Sequence, residues 1–272
     1  FIATALLLAV AFHGAVEIAG TGETFARAVV CLDRQTGRVL WTCEGLEARS
    51  QARGRTVTDA TPTPVTDGQR IYAYFGDGLM AVDTAGQLVW KRPEQMFASN
   101  FGAGTSPVLA DDVLVLVNDV AAGRRLRSSV IAFDPATGQT LWEQERVSHR
   151  SYAAYGTPLM RFVDGTEEII VHGWHDVRAY DLRTGTERWS YPITHEAKHL
   201  VAGPISDGQR LYLTGARHIT ALDLVKVGTE EDPLVWSAPV PAEKSSTPVV
   251  VGGLLFAVNE VGRAYCIDAR TG

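Results

Sequence analysis

The chain has 272 residues, and its 46% hydrophobic content is enough to bury one large all-β domain or two smaller domains. Its formal net charge of -6 argues against a nucleic-acid-binding surface, because such surfaces owe most of their affinity to clustered Lys and Arg. Three cysteines without a Cys-x-x-Cys pair signal neither a disulfide framework nor a zinc site.

The chain opens with an apolar run, Phe1 to Phe12, which is too short to span a bilayer and follows no basic segment. We interpret this run as a buried strand of a unit that begins upstream. The other end stops inside a repeat, at Gly272. We therefore expect a single domain over residues 1–272, truncated at both ends and without a transmembrane segment.

A repeat with the pattern Asp-x-x-Thr-Gly-x-x-x-Trp recurs along the chain, with spacings of 49, 52, 47 and 47 residues between its tryptophans. The copies read CLDRQTGRVLW, AVDTAGQLVW, AFDPATGQTLW and AYDLRTGTERW; a fifth carries an insertion after Gly228, and a sixth stops before its Trp. The residues assigned to this structural repeat are Asp33, Gly37, Trp41, Asp83, Trp90, Asp134, Thr137, Gly138, Trp142, Asp181, Thr184, Gly185, Trp189, Trp236 and Asp268.

Each repeat is predicted to form four antiparallel strands. A Pro followed by apolar residues precedes the first strand, a Gly-containing turn precedes the second, the third ends at the repeat Asp, and the fourth contains the Trp. No segment shows a sustained helical period. Four strands in about 48 residues are typical of a β-propeller blade.

The signature residues have structural roles in this interpretation. The Asp side chain caps backbone N–H groups of the turn, the Thr hydroxyl bonds back to it, and the Gly takes a positive φ. The Trp packs into the seam between blades. Cys31 and Cys266 each precede a repeat Asp by two residues, so we expect equivalent strand positions and buried free thiols.

The signature resembles that of the PQQ-like (pyrroloquinoline-quinone-like) β-propeller repeat family, and within it the style is closest to the outer-membrane-assembly lipoprotein BamB. The resemblance implies an all-β propeller with Trp-docking repeats. It also implies that the parts of six blades seen here come from a propeller of seven or eight. The approximate blades are 1–57, 58–99, 100–150, 151–197, 198–242 and 243–272.

Function is expected at the face opposite the signature turns. That face carries the loops between second and third strands and the segments leading into each Pro, which converge on the central channel. Its aromatic, cationic and amide groups suit a small polar ligand or a protein partner. The candidate binding residues are Asp59, Asn100, Phe101, Tyr152, Tyr155, Trp174, His175, Lys198, His199 and Lys244.

Converging imidazoles could bind a transition metal. However, His172 and Trp174 would face one side of a strand while His175 faces the other, and no tight ligand motif appears. We therefore assign no metal site and no catalytic residue.

The resemblance implies a non-catalytic protein- or ligand-binding scaffold at the bacterial cell envelope: periplasmic, outer-membrane-associated or secreted, and without a cofactor. One alternative is a quinoprotein alcohol or sugar dehydrogenase that holds PQQ and calcium. The chain lacks the adjacent Cys-Cys pair of the alcohol-oxidising members and shows no clear acidic and amide cluster for calcium. Another alternative is a sensor domain fused to an enzyme.

Overall fold

The computed structural model describes residues 8–16, 24–49, 61–76, 78–93, 103–119, 128–146, 153–193, 199–215, 217–240 and 246–272. Every regular element in these residues is a β-strand, as their branched and aromatic segments predict. With one exception, the strands pair antiparallel with neighbours in sequence, because turns of a few residues can join only antiparallel strands.

The described strands form six antiparallel sheets and one short parallel pair. The first contains β1 (Leu8–Val16), β2 (Thr24–Leu32) and β3 (Val39–Arg49). The second contains β4 (Val65–Thr66), β5 (Arg70–Tyr74), β6 (Leu79–Asp83) and β7 (Leu88–Arg92), and the third β8 (Val108–Ala110), β9 (Val113–Asn118), β10 (Ser128–Phe133) and β11 (Thr140–Arg146).

The fourth sheet contains β13 (Leu159–Val163), β14 (Thr166–His172), β15 (Asp176–Asp181) and β16 (Glu187–Pro192). The fifth contains β18 (Ile205–Ser206), β19 (Arg210–Thr214), β20 (Ile219–Asp223) and β21 (Leu234–Ala238), and the sixth β22 (Val249–Val251), β23 (Leu254–Val258) and β24 (Ala264–Asp268). The exception is a short parallel pair, β12 (Ala153–Ala154) with β17 (His199–Leu200). Sheets two to five each have the four strands that the repeat predicts.

The chain divides into two compact units. The first comprises Phe1–Leu116 and Phe133–Leu141, and the second comprises Val117–Ala132 and Trp142–Gly272. The first unit therefore holds sheets one and two, and the second holds sheets four to six. The strands of the third sheet are divided between the two units.

The turns define two ends in each sheet. Leu182 N–H donates to the carbonyl of Glu167, and Leu224 N–H donates to the carbonyl of Gln209, so the first turn of each sheet lies beside its signature turn. We call this the signature end. The described residues of the loops between second and third strands, and those that lead into each Pro, lie at the other end of the strands, which we call the loop end.

Apolar faces of successive sheets pack together within each unit. Val29 and Leu46 of the first sheet pack with Ile71 and Met80 of the second, and comparable clusters join the fourth sheet to the fifth and the fifth to the sixth. Burying one such side chain contributes about 1.5–3 kcal/mol. This repeated face-to-face burial is the main source of stability.

The cysteines follow the expectation only in part. Cys31 and Cys43 are buried in the first sheet, and burial raises the pKa of both thiols. Cys266 is exposed, so the prediction of a buried thiol was wrong there. It lies opposite Phe256 on a face of the sixth sheet that no other described sheet covers, and Phe256 is also exposed.

Candidate functional site

The signature turn is a closed set of hydrogen bonds centred on its Asp. Oδ1 of Asp181 accepts from the N–H groups of Arg183 and Thr184 at 3.1 and 2.9 Å, and from the Thr184 hydroxyl at 2.9 Å. Gly185 closes the turn with a φ of +71°. Burial alone would raise the pKa of Asp181, but the hydrogen bonds from Thr184 and Arg183 outweigh it, so the pKa lies below its ordinary value.

The copies that depart from the pattern form different turns. In the shortened second copy, Gly86 N–H donates to the carbonyl of Asp83, three residues away, whereas Gly185 N–H reaches the carbonyl of Asp181, four residues away. The insertion of the fifth copy folds into a compact loop. In that loop, Thr229 N–H and hydroxyl both donate to the carbonyl of Lys226.

The signature tryptophans join consecutive sheets. At four seams, the indole Nε1–H donates to the carbonyl of the residue after the next signature Asp, and the Gly of that next copy lies against the indole ring. The four bonds are Trp41 to Thr84 at 3.2 Å, Trp90 to Pro135 at 2.9 Å, Trp142 to Leu182 at 2.9 Å and Trp236 to Ala269 at 3.1 Å. A Cβ at Gly185 would lie 2.6 Å from the Trp142 ring. The signature Gly and Trp residues therefore have a structural role at the seams.

A second turn motif recurs at the signature end. In Asp-Gly-Gln-Arg at Asp67 and again at Asp207, Oδ1 accepts two backbone N–H groups, and Oδ2 accepts the hydroxyl of Tyr72 at 2.8 Å or of Tyr212 at 2.7 Å. Burial and the bond to Asp raise the pKa of both tyrosines to about 12.

Several candidate binding residues lie outside the described part of the chain: Asp59, Asn100, Phe101, Tyr152, Lys198 and Lys244. Of His199, the structure gives only the backbone, in β17. Tyr155, Trp174 and His175 are described in full. All three lie at the loop end of the second unit.

The parallel pair β12–β17 holds two Pro-leading segments together. Ala153 lies opposite His199, and Tyr155 N–H donates to the carbonyl of Leu200 at 2.7 Å. A Cβ at Gly156 would lie 2.8 Å from the carbonyl oxygen of Ala202, so the two backbones are in direct contact. Tyr155 is only 9% exposed. Tyr155 therefore exposes little side-chain surface to a ligand or partner.

The loop between β14 and β15 presents Trp174 and His175. It is a tight turn, closed by the bond from Gly173 N–H to the carbonyl of Asp176 at 2.8 Å. The rings of Trp174 and His175 meet edge to face with centroids 4.5 Å apart. Trp174 is half-buried and His175 is exposed. The pair thus forms an ordered aromatic and imidazole surface.

A buried arginine fixes this loop. Arg146, the last residue of β11, is 5% exposed and donates to both oxygens of Asp119, from Nε at 2.9 Å and from Nη2 at 3.2 Å. Its Nη1 donates to the Tyr180 hydroxyl at 3.0 Å, and its Nη2 lies 3.7 Å from Asp176. The guanidinium therefore ties the end of the third sheet to the first and the penultimate residues of β15.

Charge balance explains why a cation is tolerated there. Burial by itself lowers the pKa of Arg146, but the charge and hydrogen bonds of Asp119, with Tyr180 and Asp176, raise it above its ordinary value. Gly173 leaves room for the group, because a Cβ there would lie 2.2 Å from Nη2.

Sequence reasoning missed this network. The available signal was a departure from the repeat: four residues after the signature Trp, Arg146 stands where the next two copies have Ile193 and Val240. Both of those residues are buried. A charged residue at such a position needs a buried partner.

No three His, Cys, Asp or Glu side chains converge to form a metal site in the described ranges. Among those same residues, there is also no helix long and apolar enough to cross a membrane.

Comparisons with known proteins identify the repeat. The family model described as outer membrane protein assembly factor BamB matches residues 26–272. The serine/threonine-protein kinase AfsK of Streptomyces griseus is 32% identical over 53% of the chain, and AfsK of Streptomyces coelicolor is 29% identical over 83% of it. The chain spans only 18% and 26% of the lengths of these kinases.

Solved structures share the fold at low identity. BamB from Moraxella catarrhalis gives a TM-score of 0.61 at 15% identity, over 97% of this chain and 72% of that one. The quinohemoprotein alcohol dehydrogenase of Comamonas testosteroni gives 0.53 at 15% identity, over 96% of this chain and 48% of that one. The sheets described above are therefore blades of a β-propeller.

Proposed function

The chain belongs to the family of the outer membrane protein assembly factor BamB, and we propose that it is a non-catalytic recognition module that binds a protein or a small polar ligand at its loop end. The observation that carries this proposal is the difference in side-chain contacts between the signature end and the loop end. The signature side chains are saturated by turn and seam contacts, whereas the loop end holds Trp174 and His175 on a braced turn. Rigid aromatic surfaces of this kind are common anchors in binding sites.

The buried Arg146 network also supports binding at the loop end. The buried, charge-balanced guanidinium of Arg146 limits the movement of the turn that carries Trp174 and His175. The two rings therefore lose little conformational entropy when a partner binds. Of the remaining candidates, Tyr152, Lys198, His199 and Lys244 are proposed to contribute to binding by the second unit, and Asp59, Asn100 and Phe101 to binding by the first.

Site-specific photo-crosslinking tests which end binds. A benzophenone amino acid is placed at His175, and the matched control places it at Arg270, which is exposed in a signature turn. We expect adducts in the producing cells from position 175 and none from 270. Adducts from 270 alone would contradict the assignment of the binding end.

A sensor role is a second candidate, and one observation favours it. The match to the Streptomyces coelicolor kinase covers most of this chain but about a quarter of that protein. A propeller that recognises a ligand could then control an attached enzyme. Fusion of this chain to a kinase domain, with phosphorylation followed after Trp174→Ala and His175→Ala, tests whether loop-end binding changes activity.

The family implies a cell-envelope location, and we propose that the chain works in the periplasm, at the outer membrane or after secretion. Fractionation of expressing cells tests this directly.

A dehydrogenase that uses PQQ and calcium remains the enzymatic alternative. A ligand that binds only the native state must raise the unfolding temperature. Titration with PQQ and calcium should leave both the unfolding temperature and the quinone absorbance unchanged if the chain is a non-catalytic module.

A further inference from the structure

Two neighbouring sheets carry the same tight turn at the loop end. In the fourth sheet, Gly173 N–H donates to the carbonyl of Asp176 at 2.8 Å. In the fifth, Gly215 N–H donates to the carbonyl of His218, also at 2.8 Å. Each bond closes a two-residue connection between the second and third strands of its sheet. The central residues of the two turns therefore occupy equivalent positions.

The two turns lie side by side because the sheets beneath them pack together. Val177, which follows the first turn, belongs to the same apolar cluster as Leu213, the penultimate residue of β19. The segments β12 and β17, which lead into the same two sheets, also pair at this end. Packed sheets lie about 10 Å apart. His175 and Arg217, the third residues of the two turns, are therefore separated by roughly one sheet spacing.

The exposed polar groups of these turns are hydrogen-bond donors. His175, Arg217 and His218 are exposed. Trp174 is half-buried, and its ring meets that of His175 edge to face. A guanidinium and an indole can only donate hydrogen bonds, and an imidazole carries at least one N–H donor. Together these groups suit a ligand that is rich in acceptor oxygens.

The carboxylate in these turns is held by ion pairs within the protein. Asp176 is the only acidic residue in either turn. Its Oδ2 lies 2.7 Å from Nη2 of Arg178, and its Oδ1 lies 3.7 Å from Nη2 of Arg146. The charge of Asp176 is thus offset by its neighbours, whereas Arg217 presents a positive charge at the surface. The two turns therefore favour an anion, although the chain as a whole carries a net charge of -6.

We propose that these two turns, residues 173–176 and 215–218, bind an acidic and apolar segment of a partner protein. The proposal rests on the function proposed above, because it names the chemistry of the partner at the same loop end. Charge complementarity selects the occupant: partner carboxylates meet the guanidinium of Arg217 and the imidazole of His175, while an apolar side chain packs on Trp174. The single arginine of the two turns is too little to hold a nucleic acid, which needs clustered cations.

Fluorescence anisotropy of short labelled peptides tests the proposal. In the probe, glutamates flank a pair of leucines. One reference peptide has glutamines in place of the glutamates, and the other has serines in place of the leucines. We expect the probe to bind with an affinity that falls as salt rises, because part of its attraction is between charges. The glutamine peptide should not bind, and the serine peptide should bind more weakly than the probe.

Matched variants assign the effect to the two turns. Arg217→Gln should weaken probe binding by about tenfold, the size expected for the loss of one charge-assisted hydrogen bond. Arg217→Glu should abolish it, and Trp174→Ala should weaken binding of the probe more than binding of the serine peptide. Arg270→Gln, which removes an exposed arginine of a signature turn, should leave binding unchanged. Unfolding midpoints identify any variant that has lost its fold, and the three peptides test the wild-type protein without any substitution.

Three results would overturn the proposal. The first is equal binding of the glutamine peptide, which would show that carboxylates are not recognised. The second is unchanged binding by the folded Arg217→Glu variant. The third is displacement of the probe by succinate at a similar concentration, which would assign the turns to a small carboxylate.

The crosslinking experiment separates this proposal from the function on which it rests. We expect Arg217→Glu to abolish the adducts from position 175. Adducts from position 175 that persist in this variant would keep the loop end as the binding end but refute an acidic partner segment. Adducts from position 270 alone would refute both.

Discussion

Arg146 and Asp119 form a buried bidentate ion pair although 27 positions separate them in sequence. Their side chains are 3% and 9% exposed. A pair in this setting stabilises the protein only while it is complete, because either charge alone would be stranded away from water.

We therefore expect Arg146→Met to lower the free energy of unfolding by about 3–5 kcal/mol, since it leaves Asp119 buried without its main partner. The double variant Arg146→Met, Asp119→Leu should be more stable than Arg146→Met alone. Urea unfolding measures both. As a control, Arg178→Met removes an arginine that is 24% exposed and should cost less than about 1 kcal/mol. Equal losses for the two single variants would argue against a special role for Arg146.

Gly185 and Gly165 separate backbone strain from the packing of a signature Trp. Both have positive φ, +71° and +79°, so Ala at either position costs about 1–2 kcal/mol. Only at Gly185 does the added Cβ meet a ring, that of Trp142, while nothing lies within 4 Å of a Cβ at Gly165. Gly185→Ala should therefore cost about 1–3 kcal/mol more than Gly165→Ala in denaturant unfolding. Similar costs would show that the Trp is not packed on the turn.

Gly173 and Gly45 test how firmly the guanidinium is held. A Cβ at Gly173 would lie 2.2 Å from Nη2 of Arg146, and one at Gly45 would lie 2.5 Å from Cε of Met80. A methionine end can rotate away, whereas the guanidinium is fixed by its bonds to Asp119 and Tyr180. Gly173→Ala should lower the unfolding midpoint clearly more than Gly45→Ala. The opposite order would mean that the Arg146 network yields easily.

Alkaline pH should weaken the fold through the two Asp-bound tyrosines. The pKa of Tyr72 and of Tyr212 is about 12 in the folded protein, above the ordinary value of 10. A raised pKa means that their stabilising contribution is complete below pH 10 and is lost as pH rises toward 12. The double variant Tyr72→Phe, Tyr212→Phe should therefore show a shallower fall in unfolding free energy between those values.

Much of the fold follows from short-range patterns in the sequence. The recurrence of Asp, Gly and Trp at about 48-residue intervals predicts the four-stranded units, and the bonds around Asp181 are made within a few residues of it. Such contacts depend on local spacing, so one sequence is enough to predict them. The exposed Cys266 shows the limit, because its burial depends on what covers a sheet face.

The sequence by itself determined the repeat, its strands and turns, and the end of each sheet at which the loops lie. Only the tertiary structure decided that Arg146 meets Asp119 and that Arg161 takes the carbonyl of Leu224 in place of Trp189. The physical reason is that these bonds join residues from different hairpins. The first bond joins the ends of two strands of the third sheet, and the second joins the fourth sheet to the fifth, so no local spacing encodes either contact.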